Sequence, residues 1–200
     1  DTFTAGAGVD LFDGGAGNDT FHKIGFGDSV AGGEGTDTVN FNLSADTTGV
    51  DINLSTGAGA GGVWSGIDFV AGTLGSGNDN VTAFMQLGSI NGGAGTDSLT
   101  LDYSGTLADG RTATRIDFSA LFHTNAEHIY LSDGTSTTLH IDNFERYTII
   151  GTVGNDVIDG KAASGGNTFY GGEGNDTFTA GAGVDLFDGG AGNDTFHKIG

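Results

Sequence analysis

The chain has 200 residues with 40 glycines, no proline and no cysteine. It therefore has no disulfide framework, and no apolar run approaches the roughly 20 residues of a membrane helix. Acidic residues outnumber basic ones 26 to 6, for a formal charge of -20, which disfavours nucleic acid and anionic membranes as partners and favours cations. Glycine this abundant reads as disorder when scattered, but here it recurs at fixed spacing.

Residues 1–40 form the first block. Asp1, Asp10, Asp19, Asp28 and Asp37 stand nine apart. The units are GGAGNDTFH at 14–22, KIGFGDSVA at 23–31 and GGEGTDTVN at 32–40. Glycines at the head of each unit suit a tight turn with positive φ. The last three residues are β-prone, with one apolar side chain at the alternate position (Phe21, Val30, Val39), as in a short strand buried on one face. A turn plus a strand is half of a flattened coil, so 18 residues complete one. Asp1, Asp19 and Asp37 then share one edge of stacked coils, and Asp10 and Asp28 share the other. Each interval becomes a slot walled by carboxylates and by turn carbonyls, here those of Gly8, Gly15, Gly17, Gly33 and Gly35. A set made only of oxygens is what Ca²⁺ takes. KIGFGDSVA departs from the pattern, with Phe26 at its fourth position.

Residues 41–97 read as variant coils. They contain a partial repeat centred on Asp79 and an isolated copy, GGAGTDSLT at 92–100, centred on Asp97. Residues 98–150 form a variant β segment, either further solenoid or a β-sandwich insert. Leu99, Leu101 and Tyr103, and later Ile129 and Leu131, alternate with a period of two and fit strands. TLADGRTAT at 106–114 reads as a surface loop, and 118–130 could hold a short helical turn.

The last block, 151–200, opens on GTVGNDVID, centred on Asp156. This aspartate has no counterpart at 18-residue spacing, so replacing it should matter less than replacing Asp19. Asn167 then takes an aspartate position, followed by Asp176, Asp185 and Asp194 and the carbonyls of Gly172, Gly174, Gly183, Gly190 and Gly192. Residues 176–200 repeat residues 1–25 at every position, at an offset of 175. The expectation is a longer protein with a 175-residue period, with 176–200 opening the next period and neighbouring identical repeats of one covalent chain as partners.

The tandem pattern GGxGxDxUx resembles the calcium-binding nonapeptide of the repeats-in-toxin (RTX) family, which the units at 14, 32, 92, 171 and 189 approach most closely. The resemblance implies an all-β, calcium-bound parallel β-roll or β-solenoid, with several Ca²⁺ ions between successive turns and wider coils between the nonapeptide blocks. It also implies export through a one-step (type I) secretion channel and folding outside the cell. Catalytic signatures are missing: HTNAEH, from His123 to His128, has the wrong spacing for a zinc-protease motif, and GAGAGG at 57–62 lacks the strand-to-helix context of a dinucleotide site. The expectation is no enzyme and no catalytic residue. Phe178, Phe187 and Phe196 should stack in the core with Phe21; Trp64 and Tyr147 fit either core or ligand. Two functions stay open, a giant extracellular adhesin or surface filament and a calcium-folded module of a larger secreted enzyme or toxin. Lateral or end-to-end self-association and a surface or matrix glycan or protein are the remaining expected partners.

Overall fold

A computed structural model describes residues 1–54, 61–84, 87–106, 110–118, 127–161 and 164–197. Among them every regular element is a strand. The first block forms β1 (Thr2–Thr4), β2 (Leu11–Ala16), β3 (Thr20–Ile24), β4 (Ser29–Glu34) and β5 (Thr38–Asn42). The variant coils follow as β6 (Asp51–Asn53), β7 (Trp64–Ser65), β8 (Phe69–Thr73), β9 (Asn80–Phe84), β10 (Leu87–Asn91) and β11 (Ser98–Asp102). Next come β12 (Ala113–Phe118), β13 (Glu127–Leu131), β14 (Ser136–Asp142) and β15 (Arg146–Ile150). The last block supplies β16 (Val157–Asp159), β17 (Thr168–Tyr170), β18 (Thr177–Thr179), β19 (Leu186–Asp188) and β20 (Thr195–His197). Most of the segment expected to hold a helical turn, 119–126, lies outside the described residues, as do 55–60, most of the GAGAGG stretch.

The 18-residue coil is explicit in the register. Thr2 pairs with Thr20 and Thr20 with Thr38, all parallel, and Leu11 pairs with Ser29 on the opposite wall. One wall is an eleven-stranded sheet in the order β1-β3-β5-β8-β10-β14-β13-β12-β16-β18-β20. The other is shared by β2-β4-β7 and by β19-β17-β15-β11-β9-β6. This is a parallel β-solenoid.

Alternation along each strand sends one side chain inward per pleat. Those side chains stack into ladders along the axis, such as Phe21 on Val39 on Val70, or Ala83, Leu101, Ile149 and Phe169. All of them are buried. Phe178 lies between the near-parallel rings of Phe169 and Phe196, at 6.5 and 5.3 Å. Of the other two rings expected in the core, Phe187 is partly buried and Phe196, on the outermost strand of the sheet, is 52% exposed. Trp64 and Tyr147 belong to this core: both are buried, the Trp64 indole donates to the Asp28 carbonyl at 3.3 Å, and the Tyr147 hydroxyl donates to the Phe144 carbonyl at 2.9 Å.

The segment 98–150 enters the roll by an unexpected route. β12, β13 and β14 form an antiparallel meander set into the long sheet, with β14 parallel to β10 and β12 parallel to β16. Ala113 and Thr114, read from sequence as loop, open β12. Between β10 and β16 the long sheet holds three strands, whereas between β11 and β17 the facing sheet holds only β15. One wall is therefore longer by two strand spacings, roughly 10 Å.

Phe178→Ala removes a fully buried ring from a ladder that cannot close over the gap. It should lower unfolding stability in saturating calcium by about 3–5 kcal/mol, whereas Leu11→Ala, at a residue 83% exposed, should change it by under ~0.5 kcal/mol. Urea melts followed by circular dichroism measure both; similar midpoints would contradict the inward–outward assignment.

Candidate metal centres along the two edges

Each comb aspartate sits at the end of a glycine turn, one residue before a strand. In several of them the backbone N–H points along the axis toward the next coil, where the following aspartate accepts it, whereas Asp28 donates to the Gly25 carbonyl at 3.4 Å. Asp10 donates to Asp28 Oδ1, Asp19 to Asp37 Oδ1, Asp79 to Asp97 Oδ1 and Asp176 to Asp194 Oδ1, at 2.8–3.0 Å. The residue before the aspartate reciprocates. Asn18 Oδ1 accepts from Thr36, Asn78 Oδ1 from Thr96, Asn155 Oδ1 from Asn175 and Asn175 Oδ1 from Asn193. Burial is nearly complete for Asp19, Asp28, Asp37, Asp79, Asp97, Asp156 and Asp176. Asp10, Asp185 and Asp194 are half-buried, and Asp1 is exposed.

Two ligand-like positions escaped the sequence reading. Asp37 donates its N–H to Asp68 Oδ2, and Asp97 to Glu145 Oε2, both at 2.8 Å. These acids continue the edges at separations of 31 and 48 residues, where no nine-residue count leads. The expected isolation of Asp156 is also corrected: it donates to Asp176 Oδ1 at 2.8 Å, 20 residues on. The coil between them is two residues longer than 18, so a count of 18 misses the partner.

The second oxygen of each carboxylate decides what the slot can hold. Oδ2 of Asp19, Asp37, Asp79, Asp97 and Asp176 is buried and accepts no hydrogen bond. A buried anionic oxygen without a donor is costly unless a cation meets it. Carbonyls converge on the same point. A Cβ built on Gly14 would lie 2.5 Å from both Asp19 Oδ2 and the Gly32 carbonyl, and one on Gly32 would strike Asp37 Oδ2 and the Gly66 carbonyl. At Gly171 the pair is Asp176 Oδ2 and the Gly189 carbonyl; at Gly92 it is Asp97 Oδ2 and the Asn143 carbonyl. The glycines leave a cradle walled by hard oxygens, and that donor set fits Ca²⁺.

The expected carbonyl ligands belong to turns with unusual backbone. Gly15 and Gly17, Gly33 and Gly35, Gly172 and Gly174, and Gly190 and Gly192 all have positive φ. So do Gly93 and Gly95 in the turn of Asp97, whereas Gly8 and Gly183 are the lone left-handed residues of their turns. Carbonyls of one turn face the glycines of the next, as Gly15 faces Gly33 and Gly17 faces Gly35, which leaves no room for a side chain. His128 and His197 are exposed and His22 is half-buried, while His123 lies outside the described residues.

Burial raises four of these carboxyls above the usual 3.8. Asp156 is pushed up to about 6 by burial, opposed by the N–H groups of Thr152 and Ile116, with the Asp176 charge adding to the rise. Asp79, Asp97 and Asp176 are raised chiefly by burial too, with carboxylate neighbours contributing: Asp46 for Asp79, Asp79 and Glu145 for Asp97, and Asp194 for Asp176.

With this geometry in hand, the chain matches a known family. The RTX calcium-binding nonapeptide repeat is found in four copies, at residues 1–22, 26–47, 148–162 and 162–196. The chain thus carries RTX repeats and resembles the proteins built from them: it is a calcium-binding repeat protein. Such repeats are structural elements, typical of secreted extracellular proteins. No curated protein matches the chain. No helix among the described residues is long and apolar enough to cross a membrane. Asp79 and Asp97 lie outside the matched segments, yet the turn of Asp97 has the same pair of left-handed glycines as those inside.

The raised carboxyls give the ion-free roll a definite pH dependence. A carboxyl raised by folding stabilises the fold while it stays protonated. That contribution is complete below pH 3.8 and is lost as pH rises through about 6 for Asp156. Calcium-stripped protein should therefore resist heat better near pH 4.5 than at pH 7.5, and calcium should reverse the order by binding the ionised carboxylates of Asp97 and Asp176. Thermal melts followed by circular dichroism test this; stripped protein most stable at pH 7.5 would refute it.

Proposed function

We propose that the chain spans one 175-residue period, and the opening of the next, of a long extracellular filament or adhesin stalk stiffened by calcium. The identity of residues 1–25 with 176–200 carries this reading, because the two copies also adopt the same coil. Thr2 pairs with Thr20 as Thr177 pairs with Thr195, and Phe3 with Phe21 as Phe178 with Phe196. A second period could thus follow the first in unbroken register, adding length without a new fold. The chemistry is limited to Ca²⁺, and the function is reach and rigidity at a cell surface. The partners are the neighbouring periods, joined covalently, and whatever surface glycan or protein the tip meets. A calcium-folded module of a secreted enzyme is the competing reading, but a catalytic partner needs no duplicated 175-residue spacer.

From β1 to its equivalent β18 the long sheet takes nine inter-strand steps, which is about 43 Å at ~4.8 Å per step. Fibre diffraction from the native protein should show an axial repeat near that value. Electrophoresis in denaturant and chelator should show one species far larger than one period. A discrete band near one period would overturn the covalent filament.

A further inference from the structure

We propose that the comb is not a uniform ion array. The slots at Asp19, Asp37, Asp97 and Asp176 take calcium, whereas those at Asp10, Asp28, Asp156 and Asp185 are closed by the chain's own N–H groups and stay ion-free. This division rests on the calcium-binding reading of the repeats and goes beyond it, because the aspartate is present in both classes.

What separates them is whether a neighbouring N–H reaches Oδ2, and in these eight turns that follows the residue at the second position; Asp79 has a free Oδ2 with a Gly75 that is not left-handed. In the first class the second-position residue is a left-handed glycine: Gly15 (φ +86°), Gly33 (+107°), Gly93 (+93°) or Gly172 (+102°). There the aspartate Oδ2 has no donor. In the second class no left-handed glycine occupies that place, and the turn folds a backbone N–H onto Oδ2 instead. Gly6 donates to Asp10 at 2.9 Å, Thr152 to Asp156 at 2.7 Å and Gly181 to Asp185 at 3.1 Å. Gly25, one position later in its turn, donates to Asp28 at 2.8 Å. Thr152 adds its hydroxyl to both oxygens of Asp156. The other oxygen of Asp28, Asp156 and Asp185 is already taken by an N–H of the preceding coil. A cation approaching such a carboxylate meets the positive ends of N–H dipoles rather than free lone pairs.

Asn167 completes the case. Its side-chain amide nitrogen donates to the Gly165 carbonyl at 3.2 Å and to Asp185 Oδ1 at 2.9 Å. It bridges a turn carbonyl to a carboxylate of the next coil, the two ligand types an ion would join. This amide does the ion's work with no charge to bind. Asp10 and Asp185 are the same position of the repeat and are closed in the same way, so the ion-free joint belongs to the repeat itself.

Calcium stoichiometry by equilibrium dialysis, with circular dichroism in saturating calcium to confirm folding, tests the division. Asp176→Asn should lose about one ion per chain, and neither Asp185→Asn nor Asp28→Asn should lose any. Thr152→Gly removes the hydroxyl and frees the second position to become left-handed, so it should gain about one ion. Equal losses in Asp176→Asn and in the two closed-slot variants would overturn the division, as would a Thr152→Gly protein that folds and binds no more than its parent. A parent chain that binds no calcium at all would instead overturn the calcium-binding reading itself.

Discussion

The whole roll depends on stacking carboxylates one coil apart. At roughly 4.8 Å and an effective dielectric near 20, two unit negative charges repel by about 3–4 kcal/mol. From Asp19 onward each comb aspartate Oδ1 recovers part of this by accepting an N–H from the preceding coil, a charged hydrogen bond with a net value of about 1.5–3 kcal/mol. The second oxygen settles the balance. Where it is buried without a donor, as in Asp37 and Asp97, repulsion and desolvation stand uncompensated until a divalent cation arrives. Calcium thus acts as a structural component, and the raised carboxyl pKa of Asp97 records the same imbalance in its absence.

Glycine makes this arrangement possible and also makes it conditional. Left-handed pairs such as Gly33 and Gly35 turn carbonyls toward the neighbouring coil, at contacts where any Cβ would strike backbone oxygen. Their conformational freedom must be surrendered on folding, at a larger entropic cost than for other residues. Strands of two to seven residues bury at most three side chains each among the described residues, so the core contribution per coil is small. Folding therefore leans on two cooperative stacks, apolar ladders inside and oxygen–cation contacts at the edges, each of which needs the next coil in place.

The interruptions are as informative as the repeats. Between the nonapeptide blocks the edges continue through Asp68 and Glu145, which receive the same axial N–H as a comb aspartate. The coil rule is geometric: any acid delivered to that point on the edge will serve, whatever loop precedes it. The antiparallel meander of β12 to β14 obeys the same rule on the wall, because its outer strands present parallel edges to β10 and β16. Hydrogen bonding is preserved across it, although one wall gains two strands that the other lacks.

Much of this was legible in the residues alone. The nine-residue comb, the head glycines and the single apolar residue per strand imply an 18-residue coil with Asp19 and Asp37 on one edge, because a local period maps directly onto a local geometry. Phe21 and Phe178 as core followed from the same count. The folded chain alone revealed what depends on contacts across unequal loops. Asp176 meets Asp156 over 20 residues, Glu145 meets Asp97 over 48, and β14 lies beside β10 rather than β12. No period in the chain encodes those separations, since they are set by which edge is left unpaired when the coils stack. Nor does the letter Asp tell an open slot from a closed one. That is decided by whether the fold of the turn directs a neighbouring N–H onto the carboxylate, as at Asp156, or away from it, as at Asp176.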